Sequence, residues 1–210
     1  MEQDWAQLKT YRAANAALAA EVRSEEPRVV FMGNSITEGW DHQYPEFFKR
    51  HPNWINRGIS GQTTPQMLVR FRPDVLELDP AAVVVLAGIN DIAGNTGQMS
   101  VAETFGNIAS MAELAQLHNI EVVLASVLPA YAFPWRPGIA PAQSVVELNE
   151  LLRAYAAEHG HTYLDYFTPM ADDRPGLRAG LHEDEVHPNR TGYELMAPLT
   201  EQAIAAALDK

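Results

Sequence analysis

The 210-residue chain contains no cysteine. That removes disulfide frameworks, thiolate nucleophiles and thiolate metal sites, and leaves the redox compartment open. Positive charge is scarce as well: 15 Lys and Arg stand against 27 Asp and Glu, a formal net charge of −12. Such a surface repels phosphate backbones and anionic headgroups, and no Lys/Arg cluster offsets it, so neither nucleic acid nor a membrane is an expected partner. Long apolar runs are missing; stretches such as Ala81–Ala87 fall far short of the roughly 20 residues a spanning helix needs. No Gly-x-Gly-x-x-Gly follows the first apolar run, which argues against a dinucleotide-binding module. Met1–Arg23 lacks the basic start and apolar centre of a secretory signal, which reads as cytoplasmic, or as periplasmic or secreted if a leader has been removed.

What remains is an ordinary globular composition, 47% apolar and 20% charged, with no linker, repeat or low-complexity stretch. One domain over residues 1–210 is expected, with residues 1–26 as a helical segment packed on it. Within that segment Asp4–Arg23 has no Gly or Pro and spaces Trp5, Leu8, Tyr11 and Leu18 in helical fashion. After Pro27, short β-rich runs recur at Arg28–Met32, Trp54–Asn56, Ala81–Ala87, Glu121–Val127 and Thr162–Tyr166. Polar loops and helical stretches follow them, at Thr64–Leu78, Val101–Leu117, Ala142–Glu158 and Gly192–Leu208. Strands alternating with helices long enough to cross over predict an α/β fold, a three-layer α/β/α sandwich on a five-stranded parallel sheet. The third run is apolar throughout, as a central strand covered on both faces must be.

Open parallel sheets gather their ligand-binding groups beyond the carboxyl ends of the strands. There the first run supplies Gly33-Asn34-Ser35, the second Arg57-Gly58-Ile59-Ser60-Gly61 and the third Gly88-Ile89-Asn90-Asp91; beyond the fifth comes Asp184-Glu185-Val186-His187. Together they offer a nucleophile, oxyanion donors and a base. These four blocks, in this order and covering most of the chain, resemble those of the SGNH (GDSL-like) hydrolase family, whose sheet is flavodoxin-like. The resemblance implies that Ser35 is the nucleophile, His187 the general base and acid, and Asp184 the group that orients the imidazole. It further implies an oxyanion hole of the Ser35 and Gly58 N–H groups with the Asn90 amide. The physical logic is that a serine hydroxyl is a poor nucleophile until an imidazole takes its proton, and the imidazole needs a partner on its other nitrogen. Asn34 and Ile36 depart from the commonest Gly-Asp-Ser-Leu form, leaving the three side chains of the relay in place.

Each block has a plainer reading alone. Ser35 could simply cap a helix, Asn90 and Asp91 could form a turn, and His182, Asp184 and His187 could hold a metal. Around the implied site, Trp40, Phe133 and Trp135 are candidates to stack on a sugar or aryl group, Arg136 to anchor a polar substrate, and Gln62 to line the pocket; for each, packing or a solvated loop is the alternative. The Pro- and aromatic-rich connection Leu128–Pro141 is a candidate pocket wall. The implied reaction is hydrolysis of a short-chain carboxylic ester without cofactor or metal. Resemblance to bacterial carbohydrate-esterase-like members favours O-acetyl groups on carbohydrates, with lysophospholipase or acyl-thioesterase/arylesterase activity as the alternative and a non-catalytic carbohydrate-binding domain a third.

Overall fold

Short apolar runs covered on both faces suit the interior of a layered parallel sheet, and in the computed structural model, which describes residues 4–22 and 24–210, the five β-rich runs are strands. They are β1 (Val29–Gly33), β2 (Trp54–Gly58), β3 (Ala82–Leu86), β4 (Glu121–Ala125) and β5 (Thr162–Leu164). All pair in parallel, in the order β2-β1-β3-β4-β5. This is the flavodoxin-like arrangement, whose strand order reverses next to β1. β3 is central and buried along its whole length, as its uniform sequence predicts.

The helices are α1 (Arg12–Ala20), α2 (Ser35–Glu38), α3 (Trp40–Gln43), α4 (Glu46–Arg50), α5 (Thr64–Asp74), α6 (Ile89–Ile92), α7 (Val101–Leu117), α8 (Ala142–His159), α9 (Phe167–Met170) and α10 (Arg190–Leu208). α5, α7 and α8 pack side by side in one layer, while α10 packs on the sheet and on α3. No helix among the described residues is long and apolar enough to cross a membrane.

The N-terminal segment departs from expectation. Its helix spans only Arg12–Ala20 and buries none of its own residues; Met1–Gln3 and Arg23 lie outside the described residues. Ahead of it the chain is a series of turns, because other groups claim its backbone. The Asp4 carboxylate accepts from the Leu8 and Lys9 N–H groups, and the Gln66 and Gln62 side chains donate to the Trp5 and Ala6 carbonyls. Trp5 is left exposed. This segment is strapped to the β2–α5 region by polar contacts, whereas its spacing predicted an apolar helix face.

Candidate active site

Register sets the stage. Gly33 at the end of β1 lies beside Gly58 of β2 and Leu86 of β3, so the three following loops open at the same edge of the sheet. After β1, Asn34 is the N-cap of α2, its side chain accepting from the Ile36 N–H at 3.0 Å. Ser35 is therefore the first helical residue instead of the cap, and its N–H has no intrahelical acceptor. α2 is fixed from behind by Tyr193 of α10, whose hydroxyl donates to the Ile36 carbonyl at 2.6 Å.

Across the crevice, the segment before α10 folds into a tight bulge, with Glu183 N–H donating to the His187 carbonyl and Asn189 N–H to that of Leu181. Asp184 turns back on this bulge. Its Oδ1 accepts from the His187 and Val186 N–H groups, and its Oδ2 lies 2.7 Å from His187 Nδ1. His187 Nε2 in turn lies 2.9 Å from Ser35 Oγ. Burial pushes the Asp184 pKa up, but the hydrogen bonds from His187 and Val186 outweigh it and hold the carboxyl below its usual range. His182 faces elsewhere, its Nδ1 accepting from the Glu185 N–H, and no group of three acidic or His side chains that could hold a metal occurs among the described residues.

Residues 31–195 match the model of the GDSL-like lipase/acylhydrolase family. The chain belongs to this family. It is similar along almost its entire length to a GDSL-like lipase from Bacteroides thetaiotaomicron, with 50% identity, 97% of this chain and 99% of that one covered, and a TM-score of 0.92. A Bacteroides fragilis protein described as an acylhydrolase is 47% identical, with 99% and 100% covered and a TM-score of 0.95. An acetyl-xylooligosaccharide esterase from Geobacillus, at 18% identity over 87% of this chain and 95% of that one, shares the fold with a TM-score of 0.69. A further match, 29% identical over 118 residues, is to the uncharacterized lipoprotein YqeF of Bacillus subtilis and takes in 48% of each chain, so it spans about half of that relative's length.

Within this acylhydrolase the remaining expected site residues fare unequally. Asn90 lies at the start of α6, 5% exposed, with its Nδ2 donating to the Gln62 carbonyl at 2.9 Å. An amide carries a second N–H, free for another acceptor. Asp91, next to it, accepts from the N–H and hydroxyl of Thr64 at the start of α5; burial raises its pKa, the Thr64 bonds offsetting this only in part. Gly58 does not present a free donor: its N–H is held by Asn56 Oδ1 at 2.8 Å. A Cβ there would lie 2.1 Å from the Glu38 nitrogen, so glycine is required for packing against α2. Gly61 is the other glycine of this block. It sits on the exposed β2–α5 loop at φ +77°, with open space around it, next to the Gln62 peptide that Asn90 grips. Among the described residues its N–H has no acceptor. In sequence the two glycines, three residues apart, carry no mark of which N–H is already committed.

Three expected pocket residues belong to the interior. Trp40 is 2% exposed, stacked on Phe47 at 4.2 Å and against Tyr193 at 4.7 Å. Phe133 is buried, and Gln62 spends its side chain on Ala6 and Arg70. Trp135 is the aromatic that reaches the site: 42% exposed, its ring centroid 5.9 Å from that of His187. Arg136 is exposed beside it, and its side chain donates to the Gly94 carbonyl at 3.5 Å.

Proposed function

We propose that this chain is a serine esterase that removes short acyl groups, O-acetyl groups on carbohydrates foremost, through an acyl-enzyme on Ser35. The observation that carries the reading is the unbroken relay from Ser35 Oγ through His187 to Asp184. His187 Nε2 takes the hydroxyl proton as Oγ attacks the ester carbonyl carbon. Asp184, kept ionised, stabilises the imidazolium and fixes its tautomer. The oxyanion is received by the N–H groups of Ser35 and Gly61 and the free N–H of the Asn90 amide, donors rigid before the reaction and so worth most at the transition state. Collapse breaks the ester C–O bond, and the leaving alcohol takes the proton from His187. Water, deprotonated by the same imidazole, then attacks the acyl-enzyme and releases the acid and free Ser35.

The leaving alcohol departs on the His187 side, where Trp135 presents an exposed ring of the kind that stacks on the apolar face of a sugar. The relay is also open to solvent, the His187 and Asp184 side chains being 37% and 41% exposed, which lets a bulky acceptor approach. The acetyl-xylooligosaccharide esterase that shares the fold acts on acceptors of this class. A panel of acetylated sugars with p-nitrophenyl acetate and octanoate tests the reading. Acetate turned over at least about tenfold faster than octanoate by kcat/KM, a difference of about 1.4 kcal/mol, with activity on acetylated sugars, is expected. Preference for octanoate would favour the lysophospholipase or thioesterase alternative.

A further inference from the structure

A fully buried cation lies under this site, in none of the roles described so far. Arg70, on α5, is 0% exposed. Its three nitrogens point to three different places: Nη2 donates to the carbonyl of Gly33 at 3.0 Å, Nε to the side-chain carbonyl of Gln62 at 2.5 Å, and Nη1 to Asp74 Oδ2 at 3.0 Å. Gly33 is two residues before the nucleophile. Gln62 adjoins Gly61, and its backbone carbonyl holds the amide of Asn90. One guanidinium thus bridges the turn that carries Ser35 and the loop that carries Gly61 and holds the Asn90 amide.

Stability alone does not explain a charge in this position. Removing an ion pair from water costs about as much as its attraction returns, and a well-packed apolar pair is often equally stable. The planar fork, however, fixes several acceptors in one geometry, which a lysine cannot do. The surroundings stiffen the same frame: Asn15 of the N-terminal segment donates to Asp74 at 2.7 Å, Arg57 donates to Asn15, and the Tyr11 hydroxyl donates to the Gly58 carbonyl. On the reading of the site proposed above, we infer that Arg70, acting through Gln62, is a positioning residue that sets the oxyanion donors against Ser35, and that the N-terminal segment clamps the loop from outside.

The test compares the unaltered protein with Arg70→Lys and Gln62→Met. The second leaves the guanidinium its Asp74 and Gly33 partners, and so stays informative where the first fails to fold. The readouts are cooperative thermal unfolding, kcat and KM for p-nitrophenyl acetate, and inhibition by a boronic acid, whose adduct with serine carries a tetrahedral oxygen in the oxyanion position. Displacement of donors by a fraction of an ångström predicts that kcat falls by about tenfold or more in folded variants, with KM changed less than about threefold. Boronate affinity should weaken in parallel. Folded variants with kcat and boronate affinity within about twofold of the wild type would overturn the inference, as would a loss that tracks only the unfolded fraction. A wild type that neither hydrolyses the ester nor reacts at Ser35 would instead sink the serine-esterase reading, and this inference with it.

Discussion

Gly58→Ala separates a packing glycine from an oxyanion donor. The added methyl carbon would sit 2.1 Å from the Glu38 nitrogen, 2.7 Å from the Glu38 Cα and 2.7 Å from the Thr37 carbonyl carbon. These are backbone atoms of α2 and have no rotamer to escape into. Restoring ordinary contact requires β2 and α2 to separate by roughly 1 Å, and overpacking of this kind costs about 1–3 kcal/mol. In a chain of this size that lowers Tm by about 2–12 °C. Because α2 begins at Ser35, the same movement should lower kcat by on the order of 10²-fold. Gly61→Ala is the steric comparison only: its methyl meets open space, so no element has to move and only the left-handed backbone resists it, at roughly 1–2 kcal/mol. Calorimetry with p-nitrophenyl acetate kinetics reads both. A Gly58→Ala protein with unchanged Tm and kcat would refute the packing argument.

Other consequences follow from single contacts. Asn90→Ala should lower kcat by about 10²–10³-fold with little change in KM, measured with p-nitrophenyl acetate. Trp40→Ala should cost about 3–5 kcal/mol in urea unfolding. Trp135→Ala should cost less than about 0.5 kcal/mol in stability but raise KM for an acetylated oligosaccharide about fivefold, in keeping with loss of one aromatic contact. Because the folded-state pKa of Asp184 is depressed, its contribution to stability is present above the usual carboxylate range and is lost as pH falls through the depressed value. Asp184→Asn should therefore be less stable than the wild type at neutral pH, and the gap in urea midpoints should close in acid.

The sheet was legible because central parallel strands have no polar face to disguise them; α7 occupies the predicted Val101–Leu117, and α5, α8 and α10 each match the expectation at one end and differ at the other by four, one and two residues. The four loop blocks could be read for a similar reason, since topology forces them to one edge whatever packs behind. Side-chain direction was not legible. Trp40 follows the nucleophile in sequence, yet the short α3 turns it inward onto Phe47 and Tyr193, partners 7 and 153 residues away. The N-terminal turns were equally hidden, because Gln62 and Gln66 claim backbone carbonyls that helical spacing assigns to the helix. Arg70 carries no sign of its role in the sequence. Only the fold shows that its three acceptors come from three separate segments.

The central claim is that Ser35 is an activated nucleophile, and reaction with a serine-directed organophosphonate tests it most directly, followed by intact mass and peptide mapping. One adduct per chain, mapped to Ser35, abolished in Ser35→Ala and formed in step with loss of p-nitrophenyl acetate hydrolysis, is the predicted result. An unlabelled wild type without esterase activity, or an adduct that persists in Ser35→Ala, would contradict it.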